Sequence, residues 1–188
     1  MESKEKKKPR LLIENMPWIR IQMISAIATS LLLFTVCFWT LPINTSGLKD
    51  PAGRLAFAIR WLFISSLSMI FALFGVLRVR GSSNAVDPIN GGAEHLIEVP
   101  NRILRNTVEQ YFLHMAGVLT LSTILDASSL KVIPILAGLF LLGRFTYGVG
   151  YSQSPFNRSF GFIMTFIPTL LVYVYCTYRM FTGNLLLS

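Results

Sequence analysis

Residues 100–125 read PNRILRNTVEQYFLHMAGVLTLSTIL, and the two halves of this stretch differ in character. The second half is apolar enough for lipid. The first half carries Arg102, Arg105, Asn106 and Glu109. A helix needs roughly 20 mostly apolar residues to cross about 30 Å of hydrocarbon, and 26 residues meet that length. An ionisable group inside such a span is costly unless it is paired or faces a cavity. The stretch therefore reads as a membrane helix that enters the bilayer carrying a functional load.

Its surroundings support that reading. Four other runs are long and apolar: Ile21–Thr40, Leu55–Val79 (with one charge near its start, Arg60), Val132–Tyr151 and Phe160–Phe181. The connections between them carry turn residues, including Lys49-Asp50-Pro51, Asp87-Pro88 and Asn90-Gly91-Gly92. The links at 126–129 and 152–157 are short, so the third, fourth and fifth helices should be antiparallel neighbours. The expectation is an all-α integral membrane protein of five spans. Residues 1–20 form a basic N-terminus, 21–40 a first helix, and 55–185 a four-helix core with a polar loop at 80–99. The first run is too long for a signal-peptide core and lacks a small-x-small cleavage site, so it reads as a retained anchor.

Composition agrees. Of the 188 residues, 53% are hydrophobic and only 14% charged, against about 25% charged in a soluble domain. Mean hydropathy is +0.56. That is too apolar for disorder or for a nucleic-acid-binding surface, despite a net charge of +8. The charge reports topology instead. Five Lys/Arg lie in the first ten residues, and basic residues concentrate on the cytosolic side of membrane proteins. The 80–99 loop, flanked by Arg78, Arg80, Arg102 and Arg105, falls on the same side, as does the link between Arg144 and Arg158. The opposite side has Lys49, Arg54 and Lys131 near it. This predicts a cytosolic N-terminus and a lumenal C-terminus. A glycosylation sequon, Asn44-Thr45-Ser46, then lies in the lumenal loop, while a second at Asn157-Arg158-Ser159 is cytosolic and unmodified. Cys37 and Cys176 lie in apolar runs and suggest neither a disulfide nor a metal site.

The polar residues within the spans gather at one level. Arg102, Asn106 and Glu109 share one face of the third helix. Arg144, Tyr147 and Tyr151 share one face of the fourth, and Arg158 opens the fifth. All seven lie toward the cytosolic ends of their helices. Arginine forks suit carboxylates or phosphates, and a glutamate beside them suits an amine or neutralises an arginine. A small zwitterion with more than one carboxylate fits that set. A thiolate beside Arg158 would be stabilised. A purely structural account stands next to this one: Arg102 pairs with Glu109, Arg78, Arg80, Arg105 and Arg144 reach for the interface, and the tyrosines form an aromatic belt. His114 reads as a hydrogen-bonded bundle residue, and the cysteines as apolar packers.

Three motifs carry a family resemblance. Arg102-Ile-Leu-Arg-Asn106-Thr-Val-Glu109 resembles the Arg-x-x-x-Asn-x-x-Glu signature of the MAPEG superfamily, the membrane-associated proteins in eicosanoid and glutathione metabolism. Arg144-Phe-Thr-Tyr147-Gly-Val-Gly-Tyr151 is similar to that family's Arg-x-x-Tyr-x-x-Gly-Tyr ending, and Asn157-Arg158 opens the last helix at the family's spacing. The resemblance implies a glutathione site. Arg102 would meet a glutathione carboxylate, and Asn106 and Glu109 its backbone and amine. Tyr147 and Tyr151, with Arg144 beside them, would line a site between subunits of a homotrimer. Arg158 would activate the thiol. Such a site opens to the cytosol and the bilayer, and admits a lipophilic second substrate. An endoplasmic reticulum or Golgi address follows from the same resemblance.

Two departures qualify it. The family core has four helices, and this chain adds Ile21–Thr40. Gln110 follows Glu109 where transferase and synthase branches carry other residues. The extra helix and the stretch Arg158-Ser-Phe-Gly-Phe-x-x-Thr-Phe166 resemble a divergent, mattrin-like branch of the family. That branch implies a non-catalytic alternative, a regulator of secretory trafficking or Wnt-receptor abundance that binds a membrane protein or a lipid. A shared fold does not by itself carry the chemistry.

Overall fold

The computed structural model describes residues 7–87 and 89–183, with side chains from Glu14 onward. The basic cluster before Lys7, the side chains of Lys7, Lys8 and Arg10, and the extreme C-terminus lie outside the described residues. Five long helices follow one another: α1 (Lys7–Thr40), α2 (Pro51–Gly81), α3 (Glu98–Ile124), α4 (Val132–Gln153) and α5 (Ser159–Thr182). The four core helices start and end within four residues of the apolar runs. α1 begins well before residue 21, because a hydrophobic run marks the span and not the helix that extends beyond it.

Side-chain contacts fix the directions. Arg54, at the start of α2, donates from Nε to the Leu48 carbonyl and from Nη1 to the Leu125 carbonyl at the end of α3, both at 3.0 Å. Midway, Ser65 Oγ meets His114 Nε2 at 3.2 Å. α2 and α3 are therefore antiparallel along their length. α4 returns against α5, with Gly143 beside Thr165 and Gly150 beside Asn157. α1 runs parallel to α5: Trp18 Nε1 donates to Asn157 Oδ1 at 2.9 Å, Gln22 Nε2 to the Phe156 carbonyl at 3.2 Å, and Ala26 packs with Ile163 and Met164. The starts of α1, α3 and α5 thus share one end of the bundle, here called proximal, with the ends of α2 and α4. The other end is distal.

Four helices are each long and apolar enough to cross a membrane alone: Glu14–Thr40 within α1, α2, the stretch Ala127–Gln153 that contains α4, and α5. α3 is not among them. Its polar side chains explain the difference and resolve it. Thr107, Gln110, His114 and Ser122 are buried, at intervals that keep them on one inward stripe, while Phe112 and Leu113 face out. At 27 residues the helix is about 40 Å long, and it lies along α2 from end to end. It crosses the same thickness with its polar face covered by its neighbours. The bundle keeps buried polar side chains within a mostly apolar core and presents an apolar outer surface, as lipid requires. Ser65, Ser68, Thr165 and Thr169 are buried, while Phe63, Phe74, Phe145 and Phe181 are exposed. Small residues let helices approach closely and side-chain hydrogen bonds join them.

The start of α2 is capped. Asp50 Oδ2 accepts from the Gly53 N–H at 2.6 Å, and Pro51 occupies the first helical position, where its missing N–H costs nothing. Asp50→Ala should lower stability by about 1 kcal/mol, with Asp50→Ser recovering most of it. Thermal unfolding of the detergent-solubilised protein, followed by tryptophan fluorescence, reads the difference.

The proximal loop at 80–99 is folded. Two short 3₁₀ turns, Asn84–Val86 and Glu94–Ile97, bury Ala85, Ala93 and Ile97 against Val79. Arg80 ties them together, donating to the Ala85 carbonyl at 3.1 Å and pairing with Glu94 at 3.7 Å. Asp87 Oδ1 accepts from the Ile89 and Asn90 N–H groups at 2.9 and 3.0 Å. Those two donors hold its carboxyl below the ordinary range.

Candidate functional site

The site begins where α4 and α5 touch. A Cβ on Gly161 would lie 2.2 Å from the Tyr147 nitrogen and 2.4 Å from the Gly143 carbonyl oxygen. The two backbones meet there, and this contact presses the proximal half of α4 into the bundle. Arg144, one residue beyond Gly143, is consequently carried inside. It is only 3% exposed, so it does not reach for the interface as a snorkelling arginine would. The same contact buries Tyr147 and Tyr151, which are not aromatic-belt residues.

Arg144 is held from two helices. Its Nη2 donates to Asn106 Oδ1 of α3 at 3.0 Å, and its Nη1 to Thr165 Oγ1 of α5 at 3.4 Å. Its guanidinium carbon lies 4.0 Å from the centre of the Tyr147 ring, a cation–π contact that is strengthened away from water. Tyr147 stands edge-on to Tyr151, with ring centres 5.8 Å apart. The exposed Arg158 closes the row, its guanidinium 4.9 Å from the Tyr151 ring. Arginine and tyrosine thus alternate from the buried Arg144 to the proximal surface.

The third helix contributes unevenly. Asn106 is half-buried and bonded to Arg144. Arg102 is exposed, interacts with the Tyr151 hydroxyl, and pairs with Glu98 at 2.5 Å. Its acidic partner is therefore Glu98, one turn back, and not Glu109: the i−4 position lies on the same face. Glu109 is exposed, and among the described residues its side chain has no hydrogen bond or ion pair with the other six predicted site residues. The structure brings Arg102, Asn106, Arg144, Tyr147, Tyr151 and Arg158 into one chain of contacts and leaves Glu109 on the outer face of α3.

Residues beyond the predicted set complete the site. Thr165 lies in the Arg158–Phe166 stretch but has no role until α5 is packed against α4. Thr107 Oγ1, Gln110 Oε1 and Arg144 Nε are buried with no hydrogen-bond partner among the described residues. Buried polar atoms are rarely left so, and two of these three residues line a common cavity. Arg144 and Thr107 line a cavity of about 700 Å³ between α2, α3 and α4, walled by Phe71, Phe145 and Val149 and reached past Arg78. The volume lies in the range of ligand sites. A guanidinium and a hydroxyl in the wall of a largely apolar cavity suit an anionic group joined to an apolar body. His114 is apart from this centre. It bonds Ser65 and stacks on Phe140 with ring centres 4.3 Å apart, and acts as a bundle residue. Cys176 is buried and Cys37 half-buried, both among apolar side chains and unpaired with each other.

The fold and site thus define an integral membrane helical bundle with a buried cationic centre. Residues 58–178 match the MAPEG family, and the chain belongs to that family. It is 25% identical over 169 residues to Transmembrane protein 79 of Mus musculus and, to the same extent, to Transmembrane protein 79 of Bos taurus. Each alignment covers 86% of this chain and 42% of the relative, so the chain spans about two fifths of their length. No solved structure matches significantly.

Proposed function

We propose that this chain is a glutathione-binding membrane protein whose bound thiol serves a lipid-soluble electrophile. The observation that carries the reading is Arg144: a buried guanidinium with an unpartnered N–H in the wall of a cavity that Thr107, with its own unpartnered hydroxyl, also lines. Its neighbours match the anionic part of the ligand. Arg144 and Thr107 offer donors to a carboxylate, and Arg102 and Arg158 offer exposed guanidinium groups to another and to a thiolate. Glu109 is the one predicted group set apart, so contact with the ligand amine requires a neighbouring subunit. A homotrimer with sites between protomers meets that requirement. Glutathione supplies a nucleophilic sulfur when bound. Arg158 lowers the cost of its negative charge, Arg144 orients the molecule, and the apolar walls receive a substrate arriving through lipid. The proximal end is cytosolic and the membrane is that of the endoplasmic reticulum or Golgi, which places the site in reach of cytosolic glutathione.

Titrating the purified trimer in detergent with glutathione tests this. Saturable binding is expected, with an ultraviolet thiolate band that disappears in Arg158→Ala. Absence of binding sinks the reading. Binding without a thiolate band, or a band insensitive to Arg158→Ala, removes the chemistry and leaves a ligand-binding role.

One observation favours the alternative, a non-catalytic regulator that binds a membrane protein or lipid in secretory trafficking or Wnt-receptor control. Trp18 and Gln22 of α1 hold Asn157, Phe156 and Phe160 on both sides of Arg158. A helix added to the core thus grips the segment that carries the thiol-activating arginine. The relatives that share this extent of sequence are Transmembrane protein 79.

A further inference from the structure

A second cavity lies at the other end of the bundle, and the cationic centre does not use it. It has a volume of about 530 Å³ and forms a trough where α1 crosses α4 and α5, lined by Ile27, Leu31, Phe34, Leu136, Leu139 and Leu171, among others. Its floor is hydrocarbon. Ser30 is the exception, buried at 8% exposure with its hydroxyl unpartnered among the described residues. Ile27, Leu31, Leu171 and Tyr175 of its lining are exposed, so the trough opens to lipid.

The distal mouth has the opposite character. Phe34 stacks on Phe38, and the Lys131 Nζ lies 3.9 Å from the centre of the Phe38 ring. Lys131 immediately precedes Val132, which lines the trough. On the other wall, Arg179 in the last turn of α5 lies 6.0 Å from the ring of Tyr175, another lining residue. Among the described residues neither cation has an ion pair. The trough therefore leads from an apolar floor to two unneutralised positive charges. On α1 the lining runs from Ile27 to Phe34, about 10 Å of helix, and Phe38 beneath the Lys131 ammonium lies one turn further out, about 16 Å from Ile27. The span from the deep end to the cation thus matches one leaflet of a hydrocarbon core about 30 Å thick.

We propose that this trough binds one acyl chain of an anionic phospholipid from the distal leaflet, with the phosphate held at Lys131 and Arg179. Three features select this occupant. The lining excludes a polar ligand, the distance from the deep end to the cation matches a single leaflet, and basic residues at the membrane surface attract anionic headgroups. The lipid would fill the wedge between α1 and the core, so it would also fasten the added helix to the family bundle. The site is independent of glutathione, and neither proposal depends on the other.

Native mass measurement on protein extracted in mild detergent and supplied with phosphatidylglycerol or phosphatidylcholine of the same acyl composition tests it. Wild-type protein should retain phosphatidylglycerol at least tenfold more than phosphatidylcholine. The double variant Lys131→Gln, Arg179→Gln should lose that preference, and Ser30→Phe, which fills the deep end, should lose retention of both lipids. Unfolding midpoints taken in lipid-free detergent check that the variants fold. If Ser30→Phe does not fold, Leu139→Trp on the α4 wall repeats the filling test. Equal retention of the two lipids, or a preference unchanged in the double variant, overturns the proposal. So does a filled trough that still holds phosphatidylglycerol. A filling variant that dissociates the oligomer while lipid retention persists assigns the trough to a second copy of the chain and also overturns it.

Discussion

Gly161→Ala should separate α4 from α5. The added methyl would sit 2.2 Å from the Tyr147 nitrogen, 2.4 Å from the Gly143 oxygen and 2.6 Å from the Tyr147 Cα. All three are backbone atoms, so no side-chain rotation relieves the clash, and one helix must move. Inserting a methylene into a packed core costs about 1–3 kcal/mol when side chains can adjust. With backbone on both sides, a loss of about 3 kcal/mol or more is expected. Alanine's better helix propensity works against this by up to about 1 kcal/mol, and a control isolates that term. At Gly138, in the facing helix α4, an added methyl would meet nothing within 4 Å, so Gly138→Ala should shift stability by no more than about 1 kcal/mol, in the favourable direction. Denaturation midpoints in detergent compare the two. A Gly161→Ala protein as stable as Gly138→Ala would mean that the helices do not meet at this glycine. The same displacement would pull Arg144 away from Asn106 and Thr165, so ligand binding should fall with stability.

Much of the fold was legible because lipid imposes a simple rule on sequence. About twenty apolar residues between turn signals specify a span whatever packs against it, and α2, α4 and α5 ended close to where their runs did. α3 shows where the rule weakens. Thr107, Gln110 and His114 make it too polar to cross alone, and only the inward stripe they form reconciles it with the bilayer. The start of α1 was not legible, because helix outside the membrane has no hydropathy signature. For the site, spacing put Arg144, Tyr147 and Tyr151 on one helix face, a grouping that needs no tertiary knowledge. Spacing could not tell a snorkelling Arg144 from a buried one. That outcome depends on Gly143 and Gly161 meeting across two helices. Glu109 shows a second limit: it shares the exposed face of α3 with Arg102, while Asn106 between them is half-buried and bonded to Arg144. Thr165 acquired a role only through contact with α4, which no local pattern reports.

Arg144→Met should make the protein more stable and less able to bind its ligand. Arg144 is buried, and among the described residues no carboxylate pairs with it. Two neutral side chains, Asn106 and Thr165, and the face of Tyr147 surround it. Such an arrangement compensates only part of the cost of removing a charge from water. Replacing buried ionic groups with apolar side chains of similar volume is often neutral or stabilising by about 1–4 kcal/mol, and methionine has the flexibility to fill the space. A gain of about 1 kcal/mol is expected after allowing for the Asn106 amide left unpaired. Binding should respond the other way. A hydrogen bond to a charged group contributes about 1.5–3 kcal/mol, so glutathione affinity should fall by about tenfold to a hundredfold. Arg144→Lys should not rescue it, because an ammonium lacks the planar fork that reaches Asn106 and Thr165 together. The two readouts separate the explanations for a buried arginine. A structural arginine would give a protein that loses stability on substitution while its ligand affinity is unchanged, and that pair of results would remove Arg144 from the site. A functional arginine costs stability when the site is empty, and that cost is what a methionine at this position would relieve.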